Sequence, residues 1–554
     1  MNFLPWGTLF FSILWASVVA AIPSRTIDTR ASSPFVGTSG SGFVVNGSSL
    51  KYIGTNVYWL PTLNTNEDIR NTLANISALG IKVVRLWAFN DVETIPVNGT
   101  WLQLVQNGTV SVNNGPNGLQ KLDTVIQLAE EQGLYVILSL TNNWDPVSLS
   151  NTTRPRNYLS NNYGGMDTYV RQFGLQTHDE FYTNPSVLTS FLNYTTQVVS
   201  RYVNSPSVFS YELANDARCN STLPASATCT TETITTWHAT VAAHIRSIDP
   251  NHLISSGVGG YLCPDCPKLY PLTAPAPPVT SPAPGKKKRS QAKPVTKKQI
   301  LREESERKRR NREVAKRAGT LVEDGVRVRG RWVSTATKRQ QSSTSGSLYD
   351  GSYGVDSQDI SNIPDIGFSS FQLFPDQQSY GPDDPNVPSW QSIEQNGAQW
   401  ITTQAQSAAA VGKPAVLTAF GLVTQANAPD FVPFNSTVAP FASENLAKRQ
   451  STLGYGVTDQ QQATTYTTWL NTGIASGLNG IVQYQWGQSG LTAEPGTTIT
   501  PTTTTGESPT PSSPGETPTP QQTTGESPND GYAITGTNTV QQILGNSAQS
   551  IAAD

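Results

Sequence analysis

Eight short runs rich in Val, Ile, Leu and Tyr recur along the chain, at 51–57, 82–87, 134–140, 208–213, 253–256, 366–371, 415–417 and 480–484. Most are apolar throughout rather than alternating, which is the pattern of strands covered on both faces. Longer stretches that read as helices separate them, at 66–79, 119–132, 185–203, 230–248, 390–410, 459–476 and 537–550. Eight strands, most followed by a helix, predict an α/β fold, the (β/α)8 TIM barrel. The alternative is a doubly wound sheet, but no Gly-x-Gly-x-x-Gly turn follows an early strand to support it.

Two segments break the pattern. Residues 273–346 begin with Pro275, Pro277, Pro278, Pro282 and Pro284, continue as a basic block and end in Gln, Ser and Thr; residues 493–526 are rich in Thr, Pro, Ser and Gly. Neither carries enough apolar surface to offset the entropy of ordering it, so both are expected as disordered insertions. The barrel then comprises 33–272, 347–492 and 527–554. The formal charge of −3 conceals this division, since 20 of the 37 Lys+Arg and only 6 of the 40 Asp+Glu lie between Lys286 and Arg339. The remainder is an acidic protein.

The apolar run from Leu4 ends in Val19-Ala20-Ala21, which predicts a cleaved secretory signal over 1–21. Eight Asn-x-Ser/Thr acceptor sites follow, at Asn46, Asn75, Asn98, Asn107, Asn151, Asn193, Asn220 and Asn435, as suits a glycosylated extracellular surface. No later segment approaches about 18 apolar residues, so a secreted, soluble monomer without a membrane partner is expected. Four cysteines, Cys219, Cys229, Cys263 and Cys266, allow three disulfide pairings, of which Cys219–Cys229 with Cys263–Cys266 is the local option. A lone Cys-Pro-Asp-Cys is a poor zinc site, and no metal is expected.

A barrel of this kind carries its chemistry at the C-terminal ends of the strands. Those ends hold Trp59, then Arg85, Trp87, Phe89 and Asn90, then Asn142, Asn143 and Trp144, then Asn215, Asp216 and Arg218, Gln372 and Phe374, Thr418 and Ala419, and finally Gln485 and Trp486. Indoles stack on the C–H faces of sugars while amides bond their hydroxyls, so these ends predict a carbohydrate cleft.

The residues also carry a family resemblance. Gly54-Thr-Asn-Val-Tyr-Trp59, Val84-Arg-Leu-Trp-Ala-Phe-Asn90, Asn142-Asn-Trp144, Gly164-Gly-Met166, His178-Asp-Glu-Phe-Tyr182, Glu212-Leu-Ala-Asn215 with Arg218-Cys219, Tyr484-Gln-Trp486 and Ser527-Pro-Asn-Asp-Gly-Tyr-Ala533 resemble the fungal endo-β-1,4-mannanases of glycoside hydrolase family 5. The last of these follows the Thr/Pro segment, so that segment is expected to interrupt the final barrel loop. The resemblance implies a retaining (β/α)8 hydrolase without a cofactor, acting on β-1,4-mannan or a related plant cell-wall polysaccharide. Substrate contacts are expected from Trp59, Arg85, Trp87, Asn142, Trp144, Asn215, Gln372, Phe374 and Trp486 at these strand ends.

The chain departs from that family where the bond is broken. Retaining glycosidases pair an acid/base carboxylate with a nucleophilic one about 5–5.5 Å away. The family's Asn-Glu-Pro reads Asn215-Asp216-Ala217 here, which draws the acid back by about 1.5 Å, one carbon–carbon bond. A displacement of about 1 Å can already cost roughly a hundredfold in rate. In Lys413-Pro-Ala-Val-Leu-Thr-Ala-Phe-Gly421, Ala419 stands where the family has its nucleophilic Glu, and a methyl group cannot attack an anomeric carbon. The strand-six His-x-Tyr is Gln372-Leu373-Phe374, and no His follows His252. The expected protein is therefore a mannan binder with weak or no hydrolysis; the alternatives are a hydrolase using non-standard residues and an extracellular scaffold without a glycan function. Glu212 is expected to serve structure rather than to act as a base.

The basic block is not expected to bring a nucleic-acid partner, because a secreted chain does not meet nuclear DNA. A solvated loop, a translated intron or attachment to an anionic cell wall are its other readings, and Lys316-Arg317, Lys338-Arg339 and Lys448-Arg449 are dibasic steps open to a secretory-pathway protease.

Overall fold

The computed structural model describes residues 34–147, 154–272, 325–328, 331–334, 348–442, 455–501, 524–535 and 539–553. Its central strands are β1 (Tyr52–Asn56), β2 (Val83–Trp87), β3 (Tyr135–Ser139), β4 (Val208–Glu212), β5 (Leu253–Ser255), β6 (Ser369–Leu373), β7 (Ala415–Phe420) and β8 (Gly480–Gln483). They form one parallel sheet in the order β5-β4-β3-β2-β1-β8-β7-β6. It closes where Ser255 pairs with Phe368 and the Gly367 N–H donates to the Ile254 carbonyl at 2.7 Å. The (β/α)8 barrel predicted from the hydrophobic runs is the fold. Apart from Tyr135, every residue of these strands is buried, which is why the runs do not alternate.

The surrounding helices are α1 (Asn66–Ala78), α2 (Leu119–Glu131), α3 (Pro185–Tyr202), α4 (Thr231–Ile248), the single-turn α5 (Ser357–Ser361), α6 (Ser389–Val411), α7 (Asp459–Ala475) and α8 (Thr539–Ala553). Local chemistry sets several of their ends. Asn184 accepts from the Ser186 and Val187 N–H groups ahead of Pro185 at the start of α3, Thr458 and Gln461 form a capping box on α7, and Gly412 at φ +74° ends α6.

The N-terminal end of the barrel is closed by a three-stranded antiparallel piece, Gly37–Ser39, Gly42–Val45 and Ser48–Leu50, which the pattern of apolar runs does not reveal. Its Phe43 packs edge-on against Phe209 and Phe368, with ring centres 5.0 and 5.4 Å away. That plug leaves the opposite end, where the strands' C-termini lie, for the site. Two further strand-end features are longer or later than predicted. Strand β7 runs on from 417 to Phe420, carrying Thr418 and Ala419 into the sheet, and β6 begins at Ser369 rather than 366 because Ile363–Ile366 close a turn first.

Two insertion boundaries are corrected. Residues 493–501 and 524–526, expected to be disordered, belong to the folded body. Ile499 is 1% exposed, Asn64 donates to its carbonyl, and Leu491–Thr492 pairs antiparallel with Thr524–Gly525. Within 273–346, Gly325–Val328 and Arg331–Ser334 pair as an antiparallel hairpin where no secondary structure is expected. The rest of that insertion, the predicted signal segment 1–21 and Asn151 lie outside the described residues. The cysteines form Cys219–Cys229 and Cys263–Cys266. No helix among the described residues is long and apolar enough to cross a membrane.

Candidate functional site

A cavity of about 360 Å3 opens at the C-terminal ends of β3 to β7. Trp144, from the loop after β3, forms one wall. Arg218 and Asn220 follow β4, Tyr261 and Tyr353 stand between β5 and β6, Gln372, Phe374, Asp376 and Tyr380 come from β6 and its loop, and Phe434 and Asn435 follow β7. Aromatic rings beside amides and one guanidinium make a surface chemically able to stack on the faces of sugars and to bond hydroxyl groups.

Arg218 is the electrostatic centre of that wall. Its guanidinium carbon lies 5.2, 4.7 and 4.6 Å from the ring centres of Trp144, Tyr261 and Tyr353. Burial works against its charge, but Asp216 and the tyrosines outweigh it and raise its affinity for the proton further. The Cys219–Cys229 disulfide and a bond from the Cys219 N–H to the Tyr353 carbonyl (2.8 Å) hold the next residue in place.

Beneath the wall runs a continuous polar network. Arg85 donates to both carboxylate oxygens of Glu212 at 3.0 and 2.5 Å, to Asn56 Oδ1 at 2.8 Å and to Asn215 Oδ1 at 2.9 Å. Gln372 Nε2 donates to the same Asn215 oxygen at 2.9 Å, and Asn215 Nδ2 donates to Asn142 Oδ1 at 2.8 Å. Asn142 Nδ2 in turn holds the Trp144 carbonyl at 2.7 Å, and Trp144 Nε1 donates to Asp216 Oδ2 at 3.2 Å. Glycine at 257, φ +73°, lets the chain after β5 cross directly over Glu212, where a Cβ would overlap the Ala214 carbonyl oxygen.

The predicted substrate contacts fall in different parts of this arrangement. Trp144, Gln372 and Phe374 line the cavity, but Arg85, Asn142 and Asn215 spend their polar groups on one another and act as its support. Trp59 has no exposed surface, Trp87 is 2% exposed with its N–H on the Ser160 carbonyl, and Trp486 is 3% exposed. All three rings belong to the buried core cluster, and none of them lines this cavity. Glu212 is fully buried in its ion pair with Arg85, the structural role expected for it.

The two positions of the expected catalytic pair are both enclosed. Asp216 is 2% exposed, lies behind Trp144 and Arg218, and adopts φ +58°, a left-handed conformation that Asp tolerates better than most residues. Its Oδ2 meets Arg218 Nη2 at 2.7 Å, while Oδ1 has no hydrogen-bond partner. Ala419, 2% exposed, is the strand partner of Gln372 across β6 and β7. Its neighbour Thr418 donates its hydroxyl to the Phe371 carbonyl at 3.1 Å.

Arg218, Tyr261, Tyr353, Asp376 and Asn435 were not among the predicted substrate contacts. Arg218 carried a signal, two residues past Asp216. Tyr353 and Asn435 lie in long connections whose course no strand pattern traces. Asp376 is anchored by the Val423 N–H at 2.9 Å and the Tyr455 hydroxyl at 3.2 Å, and burial pushes its carboxyl up to about 7.

Comparison with known proteins agrees with this fold. Residues 37–288 match the family described as Cellulase (glycosyl hydrolase family 5). The chain is 34% identical over 267 residues to mannan endo-1,4-beta-mannosidase A of Aspergillus aculeatus, covering 48% of this chain and 65% of that protein. It is 37% identical over 247 residues to mannan endo-1,4-beta-mannosidase F of Aspergillus fumigatus, covering 44% and 51%. The chain thus spans less than two thirds of these relatives' lengths. In three dimensions it is similar to the endo-1,4-beta-mannanase of Rhizomucor miehei, with a TM-score of 0.57 and 23% identity over 94% of this chain and 100% of that one, a likeness of fold. Joined to a closed eight-stranded barrel, these matches make residues 37–288 similar to the proteins of glycosyl hydrolase family 5.

Proposed function

We propose that this is a secreted β-mannan-binding protein whose hydrolysis of the polysaccharide is weak or absent. The observation that carries the reading is the strand pairing of Ala419 with Gln372 at the end of β7, a methyl group at the position where the resemblance calls for a nucleophilic carboxylate. The enclosure of Asp216 behind Arg218 and Trp144 supports it from the acid/base side. The names of the similar fungal proteins and the aromatic and amide wall of the cavity support mannan as the ligand.

The test is a paired binding and reducing-end assay on mannan, with the wild type beside an Asp216→Glu/Ala419→Glu double variant. The expected result is retention of both proteins on mannan, with sugar release only from the double variant. Turnover by the wild type that disappears in Asp216→Ala would instead identify a working hydrolase using other residues. Neither binding nor turnover by any form would identify a scaffold without a glycan function.

A further inference from the structure

Seven of the eight acceptor asparagines lie in described residues, and they are not equivalent. Asn46 lies in the plug at the N-terminal end of the barrel, Asn75 and Asn193 on α1 and α3, and Asn98 and Asn107 in the connection after β2. These five are exposed and none lines the cavity. Asn220 and Asn435 do line it. Asn220 is half-buried, and the Ser221 and Thr222 hydroxyls of its acceptor triplet both donate to Asp167. Asn435 is exposed, and its amide makes no hydrogen bond to another described residue.

The backbone that carries Asn435 is held firmly. Asn161 Nδ2 donates to the carbonyls of Pro433, Phe434 and Ser436 at 3.3, 2.8 and 2.8 Å. The Phe434 N–H donates to Gln377 Oε1 at 2.8 Å, and the Phe434 ring meets Phe374 edge-on at 5.1 Å. A group attached at Asn435 is therefore rooted at a fixed point on the β7 side of the cavity, next to the ring of a cavity-lining Phe.

We propose that Asn435 carries an N-linked glycan whose first sugars lie across the β7 side of the cavity mouth and restrict the chains that reach Trp144, Gln372 and Phe374. The inference rests on the mannan-binding reading above. A bulky hydrated group at this edge leaves room for a short unbranched chain and obstructs a branched one.

The experiment uses the full chain secreted from a eukaryotic host. Peptide mass spectrometry reads occupancy at Asn435, and calorimetry reads the affinity for linear β-1,4-mannohexaose and for a galactose-branched mannooligosaccharide. Both are measured before and after enzymatic deglycosylation under native conditions, and again in Asn435→Gln and Asn193→Gln. The expected result is an occupied Asn435 and an affinity for the branched ligand that rises about five- to tenfold in Asn435→Gln, with a smaller gain for the linear one and no change in Asn193→Gln. An unmodified Asn435, or affinities that ignore its glycan, overturns the proposal while leaving mannan binding intact. An occupied Asn435 in a protein that binds neither ligand in any form overturns the mannan-binding reading and the gating together.

Discussion

Arg218 grips Asp216 through one oxygen, with Nη2 at 2.7 Å and Nε at 3.0 Å from Oδ2, while Oδ1 is left without a partner. A carboxylate held this way is part of the wall's scaffold. It is tied to a cation that three aromatic rings immobilise, and it stands behind the surface a sugar would touch.

Removing only the cation should therefore damage the fold. Arg218→Met keeps much of the packing but strands a buried carboxylate, an effect of about 3–5 kcal/mol. Asp216→Asn/Arg218→Met, which removes both charges, should recover most of that loss. Urea denaturation of the two variants reads the difference, and equal midpoints would show that the ion pair is not what holds the loop.

The Arg85–Glu212 pair is deeper still, with side chains 1% and 0% exposed. Glu212→Gln leaves the Arg85 guanidinium uncompensated among Asn56 and Asn215, and a loss of about 3–5 kcal/mol is expected. Because Arg85 also positions Asn215, the same variant should weaken mannan binding under conditions where circular dichroism still reports a folded barrel. Unchanged affinity would separate the network from the wall it supports.

Asp376 makes stability depend on pH. Burial lifts its folded-state pKa from 3.8 to about 7, so between these values the folded protein holds a proton that the unfolded chain has released. Its contribution is fully favourable below about pH 4 and is lost as pH rises through 7, at up to about 1.4 kcal/mol per unit. Thermal denaturation of Asp376→Asn at pH 5 and pH 8 should show a smaller fall in Tm across that interval than the wild type. Parallel falls in the two proteins would assign the pH dependence to other groups.

Ile499 tests where the second insertion begins. Its side chain is 1% exposed in the core, so Ile499→Ala should cost about 2–4 kcal/mol. A residue in an unstructured linker would tolerate the change, and an unaltered denaturation midpoint would return 493–501 to the insertion.

The barrel was legible because its strands are buried on both faces, which makes each a compact apolar run between polar helices and loops. The predicted runs differ from the observed strands mainly at β6, where a turn displaces the start, and at β7, where Thr418 and Ala419 continue the sheet despite ending the branched-aliphatic run. The site was less legible. A position at a strand end says where a backbone stops, not whether the ring beyond it faces solvent. Trp59 and Trp87 are covered by neighbouring segments, whereas Trp144, itself 7% exposed, lines the cavity and is held there by Asn142 and Arg218. The supporting network was partly visible as a cluster of Arg, Asn and Glu. Its division of labour depends on hydrogen bonds between strands far apart in sequence, such as that of Arg85 to Glu212.

The short ladder between Leu491–Thr492 and Thr524–Gly525 brings two points of the final barrel loop side by side, and residues 493–501 return into the folded body beyond it. A chain that departs and returns through one doorway imposes almost no constraint on what lies outside it. Doubling the length of such an excursion adds only about 0.6 kcal/mol of closure entropy, and the barrel behind the doorway need not move. This makes the final barrel loop a natural splice point, a place where a lineage or an engineer can exchange a tether, a repeat or an entire extra module and keep the same aromatic wall.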